Sequence, residues 1–150
     1  MRMLLTAVLA VAFAGIGSAD VLIDFDSFAA GTPVGVDFGG YGVTFWDTGT
    51  NLLKVTENYP GPPFSPPNSV YNYNQGGYGW HYWAEFLNAP ATYVSVVMGD
   101  FDVDAEDIFL VAYDSLGNQV ASDSDFLPDT LNGGLELEVA APEIAKVEFW

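Results

Sequence analysis

Leu135-Glu136-Leu137-Glu138-Val139 sets an apolar residue at every second position with a carboxylate between each pair. Successive side chains of an extended chain point to opposite faces. Leu135, Leu137 and Val139 therefore pack on one side while Glu136 and Glu138 meet water on the other, as in a strand of an antiparallel sheet with one dry face. Upstream, Ile108 to Tyr113 and Gln119 to Ser122 flank Asp114-Ser115-Leu116-Gly117-Asn118. There Asp114 opens a type I turn and Gly117 takes the left-handed position after it, which predicts a hairpin. Asn132-Gly133-Gly134 is a second permissive turn.

Outward from these segments the same pattern recurs. Short apolar or alternating runs lie between turn residues at Val21 to Phe25, Val43 to Trp46, Leu52 to Thr56, Ser69 to Tyr73, Tyr82 to Leu87, Thr92 to Met98 and Lys146 to Phe149. Helical periodicity is missing after the N-terminal apolar stretch. The pattern predicts an all-β chain folded as a single antiparallel β-sandwich. Tyr59 to Asn68 holds five prolines, and because proline has no amide donor this segment is expected to be a long ordered loop rather than an interior strand.

The N-terminus reads differently. Arg2 precedes an apolar run from Met3 to Ile16, and the small residues Gly17 and Ala19 stand before Asp20. This is the layout of a secretory signal peptide over residues 1–19. A membrane span needs roughly 20 apolar residues, more than this glycine-interrupted run supplies, so no membrane insertion is expected after cleavage. Residues 20–150 then form one domain, long enough to bury somewhat over about 60% of its unfolded surface. Cysteine is absent, so an exported fold of this kind rests on its core with no disulfide to help.

The whole chain carries a net charge of −17, and the segment from Asp20 onward keeps all 20 acidic residues against Lys54 and Lys146. Such a surface repels nucleic acid and anionic lipid. Disorder is excluded as well, since half of the residues are hydrophobic. Gly99 to Asp107 concentrates the acidity, with Asp100, Asp102 and Asp104 at alternating positions and Asp107 just after. In a strand these carboxylates would repel one another along one face about 6.6 Å apart. A loop around calcium, which takes six to eight oxygen ligands, relieves that repulsion. The glycine and glutamate of an EF-hand are missing from their places, so an EF-hand is not indicated.

Tyr78-Gly79-Trp80-His81-Tyr82-Trp83 is the densest aromatic stretch. Aromatic faces stack on the C–H surfaces of sugars while nearby amides reach hydroxyls. Tyr78, Trp80, His81 and Trp83 are therefore candidate ligand-binding residues on a loop platform, whereas Tyr82 and Phe86 alternate as core residues would. His81 is the sole histidine and no Gly-x-Ser-x-Gly elbow occurs, so no catalytic residue is assigned. A glycosidase needs only two suitably spaced carboxylates and stands as a remote alternative.

Several segments together resemble the secreted bacterial β-sandwich domains that commonly precede a PEP-CTERM sorting signal. They are IDFDSFAAGTPVG (Ile23 to Gly35), GYGVTFW (Gly40 to Trp46), SPPNSVYNY (Ser65 to Tyr73), WAEF (Trp83 to Phe86), VSVVMGDFDVDAEDIFLVAYDSLGNQV (Val94 to Val120) and IAKVEFW (Ile144 to Trp150). The resemblance implies a jelly-roll-like sandwich, noncatalytic and secreted or held at the cell surface. Its expected partners are extracellular polysaccharide or other surface proteins. It also implies a structural calcium joining the first strand to the last, held here by Asp24 and Asp26 with Glu148 as a late-strand partner. Such chains continue past the equivalent of Trp150 with one more acidic strand and the sorting signal. The expectation here is either a released protein or a domain whose last strand lies beyond residue 150.

Overall fold

The computed structural model describes residues 9–13, 21–23, 25, 27–47, 53–57, 68–71, 81–99, 105–128 and 134–150. Within them the chain is an antiparallel β-sandwich, as the alternation predicts. The strands are β1 (Leu9–Phe13), β2 (Val21–Ile23), β3 (Val43–Asp47), β4 (Lys54–Glu57), β5 (Asn68–Tyr71), β6 (Tyr82–Phe86), β7 (Ala91–Gly99), β8 (Glu106–Tyr113), β9 (Gln119–Leu127), β10 (Gly134–Ile144) and β11 (Lys146–Phe149). They form a four-stranded sheet in the order β10-β7-β1-β2, a five-stranded sheet in the order β3-β6-β11-β8-β9, and a two-stranded ladder of β4 with β5.

Alternation decides which side of each strand is dry. Along β7, Val94, Val96 and Met98 face inward and are fully buried, and across β10 Leu137 and Val139 join them. The five-stranded sheet answers with Phe45, Ala84, Leu110, Val147 and Phe149. These residues form one continuous cluster, so the two sheets share a single core. At about 1.5–3 kcal/mol for each fully buried large side chain, burial between the sheets is the main force holding them face to face.

The hairpin between β8 and β9 forms as expected. The Asp114 amide donates to the Asn118 carbonyl at 3.0 Å, and the Asp114 carboxylate accepts the amides of Leu116 at 2.9 Å and Asn118 at 2.8 Å. Gly117 has φ +83°, the left-handed value that glycine adopts without strain. β10 and β11 are consecutive yet belong to different sheets. β10 loses its regular register to β7 between Ala140 and Ile144, and the chain then crosses through Ala145 alone.

Two places differ from the sequence reading. The first predicted strand was to run through Phe25, but β2 stops at Ile23 and Phe25 has φ +59°. A bulky residue in this region is costly, about 1–3 kcal/mol. Its ring is held by edge-on contacts to Phe38 and Phe45 at 5.3 and 5.9 Å, with Phe38 carried on the 3-10 helix Val36–Tyr41. The second is β1, a strand over Leu9–Phe13 within the segment read as a leader. The proline-rich segment 59–67 and the turn residues Asn132 and Gly133 lie outside the described residues.

Candidate functional site

Each strand of the five-stranded sheet places its core residues inward, so the residues between them must face outward. The interstrand register then sets those residues in rows. Trp46 of β3 stands opposite Trp83 of β6, Trp83 opposite Glu148 of β11, and Glu148 opposite Val111 of β8. One row to the side, Thr44 meets Glu85, Glu85 meets Lys146, and Lys146 meets Tyr113. On the other flank the backbones of Phe109 and Trp150 exchange hydrogen bonds of 3.0 and 3.2 Å. Directly opposed side chains on one face of a sheet are close enough to touch.

These rows build two ring tracks. Trp46 and Trp83 stack nearly parallel, with centroids 6.2 Å apart and planes 6° apart, and Trp83 continues to Tyr113 at 5.8 Å. His81 stacks on Trp150 at 4.5 Å, and Trp150 stacks on Phe109 at 5.0 Å. Lys146 places its ammonium 4.7 Å from the Trp83 centroid and 5.2 Å from that of Tyr113, a cation–π arrangement that pins both rings. Trp46, at the open edge of the sheet, keeps 37% of its surface exposed.

Glu148 ties the two tracks together. Its carboxylate is buried; one oxygen meets the Nδ1 of His81 at 2.5 Å and the other accepts from the Tyr113 hydroxyl at 2.9 Å. Burial of the Tyr113 phenol raises its pKa above the usual 10, and the hydrogen bond to Glu148 and that residue's negative charge push the same way. Both rings that frame Glu148 are thus oriented by it. At the Tyr113 end the face runs into a cleft of about 550 Å³ between the β6–β7 connection and the β8–β9 hairpin, lined by Glu85, Asn88, Asp114, Leu116 and Lys146 among others.

Of the ligand-binding candidates read from the sequence, His81 and Trp83 come together on this face. Trp83 belongs to strand β6, not to a loop platform as predicted. Tyr78 and Trp80 lie outside the described residues. Trp46, Phe109, Tyr113 and Trp150 complete the face and were not among those candidates.

Of the metal candidates, one lies among the described residues. Asp24, Asp26, Asp100, Asp102 and Asp104 lie outside the described residues, and Asp107 is an exposed residue of β8 opposite Phe126. Among the described residues no group of three or more histidine, aspartate or glutamate side chains is placed to hold a metal ion. Glu148 faces outward from the five-stranded sheet and is engaged by His81 and Tyr113.

Comparison with known proteins returns no matching family model, no matching curated protein and no matching solved structure.

Proposed function

We propose that this domain is a noncatalytic extracellular module that binds a neutral polysaccharide across the outer face of its five-stranded sheet, in the service of surface or matrix assembly. The observation that carries the reading is the pair of ring tracks, Trp46–Trp83–Tyr113 and His81–Trp150–Phe109, framed by the polar groups of Thr44, Glu85 and Lys146. Sugar rings offer flat C–H faces to such rings and hydroxyls to such polar groups. An acidic glycan is disfavoured by the net charge of −17.

A stacked ring is worth about 1–3 kcal/mol, taking base–aromatic stacking as the guide. Trp46→Ala and Trp83→Ala should each weaken binding about tenfold or more, since about 1.4 kcal/mol is a factor of ten. Leu22→Ala, at a site 61% exposed on β2 of the other sheet, serves as the control. A glycan array followed by affinity electrophoresis of these variants is the test. Failure of every neutral polysaccharide to retard the protein, or equal retardation of all variants, would sink the proposal.

Structural calcium belongs to the same reading through the carboxylates of Gly99 to Asp107. Asp100, Asp102 and Asp104 alternate in sequence, and extracellular modules hold calcium at about 10⁻⁴ to 10⁻³ M. At ten times the dissociation constant the linkage is roughly 1.4 kcal/mol, or about 3–7 °C in melting temperature. A melt in calcium that matches magnesium and sodium controls at equal ionic strength removes calcium from the proposal.

A further inference from the structure

The cleft of about 550 Å³ beside Tyr113 lies within the roughly 300–1,000 Å³ that small-ligand sites occupy. Ala145 lines it between two walls, its carbonyl accepting from the Phe86 amide at 2.9 Å and its amide donating to the Tyr113 carbonyl at 2.8 Å. Lys146 belongs to the cleft and to the ring face at once, since it lines the first and sets its ammonium over Trp83 and Tyr113. We propose that this cleft seats the N-acyl group of an amino sugar, so that the polysaccharide on the ring face is one built from N-acylated residues. The proposal rests on the glycan reading of that face and names its ligand class.

Three features of the lining carry it. First, both walls are tied in place by the protein itself. Within the hairpin the Asp114 carboxylate accepts the amides of Leu116 and Asn118, and on the opposite wall the Leu87 amide donates to the Gly42 carbonyl at 2.8 Å. A site ordered beforehand loses less affinity to ordering when the ligand arrives.

Second, the cleft has an apolar lip on each wall. Leu87 and Leu116 line it from opposite sides and are 52% and 85% exposed. A single exposed leucine is ordinary. Two that line one cleft offer contact to a methyl group on the ligand, contact that a hydroxyl does not use.

Third, a carboxamide stands beside the lips. Asn88 lines the same wall as Leu87, and its side chain makes no hydrogen bond among the described residues. A Cβ on Gly42 would stand 2.6 Å from the Asn88 Nδ2, so the amide occupies room that glycine leaves open. A carboxamide presents donors and an acceptor together, and the C=O and N–H of an N-acyl group answer both. An ester has no N–H for the Asn88 carbonyl, and a hydroxyl has no methyl for the leucines. Polar groups of a site left unmatched by the ligand lower its affinity.

The test begins with a glycan array on which neutral linkages are present with and without the N-acyl group, the nearest pair being chitohexaose and cellohexaose. Both are uncharged and share their linkage, so the acylated amine is the difference that the protein reads. The N-acylated chains should bind at least about tenfold more tightly, the scale on which a pocket discriminates a methyl-sized group. Asn88→Ala and Leu116→Ala, both at exposed positions, should each lower that ratio toward one and leave the affinity for the acyl-free chain where it was. Trp83→Ala should weaken both chains together. Equal binding of the two kinds, preference for acyl-free chains, or a ratio unchanged in both cleft variants overturns the proposal and leaves the glycan reading standing. Binding of no neutral glycan removes the two together.

Discussion

The two outer faces of this sandwich start from the same chemistry and end differently. Each carries a tyrosine whose hydroxyl is tied to a glutamate on a neighbouring strand: Tyr93 with Glu138 on the four-stranded sheet and Tyr113 with Glu148 on the five-stranded one. On the first face the surroundings are short and polar, with the Ser95 hydroxyl donating to Glu136 at 2.7 Å and both glutamates open to water. On the second, rings and the Lys146 stem cover the pair, and Glu148 is buried. A carboxylate on a sheet face is thus a wetted side chain or a structural pin according to the size of its neighbours. Among the described residues, only the second face offers a broad aromatic surface to a ligand.

The comparison breaks first if the outward rings turn out to hold the fold rather than line a surface. Leu110 and Phe109 are adjacent on β8 and point opposite ways. Leu110→Ala should cost about 2–5 kcal/mol in urea unfolding, the range for emptying a packed core site. Phe109→Ala should cost about 1 kcal/mol, the worth of its contact with Trp150. Equal losses would mean that the outer rings are core.

A smaller difference separates the two glutamates. Glu148→Ala takes the acceptor from Tyr113 at a buried position and should cost about 1–3 kcal/mol. Glu138→Ala, at an exposed position, should stay within about 0.5 kcal/mol. Parity in chemical denaturation would erase the distinction between pin and wetted side chain.

Alkaline titration sharpens the same contrast. Burial, first, and then the neighbouring glutamate raise the pKa of Tyr113 and of Tyr93 above 10. A raised folded pKa means that the fold prefers the protonated phenol. That contribution is whole below pH 10 and is lost as pH climbs through the folded value. Glu148→Gln should move the Tyr113 ionisation, followed by phenolate absorbance against a Tyr113→Phe blank, back toward 10. Glu138→Gln should do the same for Tyr93 and leave Tyr113 where it was. Movement of both tyrosines in either variant would show that the faces are not independent.

The smallest effect belongs to the hairpin at the rim of the aromatic face. The Asp114 pKa is lowered by hydrogen bonds from the side chain and amide of Asn118. A lowered folded pKa gives stability that is present above the unfolded value of about 3.8 and lost as pH falls through the folded one. The wild-type advantage over Asp114→Asn should therefore shrink in melts taken below pH 4. A constant gap across that range would remove the ionised carboxylate from the account.

How much of this was legible depends on whether a signal is local. Alternation in Leu135 to Val139 and the Asp114–Asn118 turn needed only neighbours in sequence, and β8, β9 and β10 follow them. The same alternation in Val43-Thr44-Phe45-Trp46 and in Ile108 to Tyr113 puts Trp46, Phe109 and Tyr113 on the outward side. An aromatic standing between inward residues was therefore an available sign of the face. That the outward rings of β3, β6 and β8 meet one another and Trp150 was not available, because β3, β6, β8 and β11 are brought together by a strand order that no local pattern encodes. The apolar stretch before Asp20 hid β1 for another reason. Its residues suit an export leader and a buried strand equally, and periodicity does not separate two uses of one apolar run. Phe25 departed from prediction because core packing of its ring outweighed the extended preference of the backbone around it.

The crossing at Ala145 has a consequence for the order of events in folding. β11 is an inner strand of the five-stranded sheet, bonded to β6 and β8, and β10 is bonded to β7. Both follow every one of those neighbours in the chain. A ribosome releasing this polypeptide therefore delivers β3, β6 and β8 well before the strand that joins them, and non-local pairing of this sort closes in milliseconds to seconds rather than microseconds. Until residues 134–149 arrive, neither sheet has its full set of partners and the chain stays open.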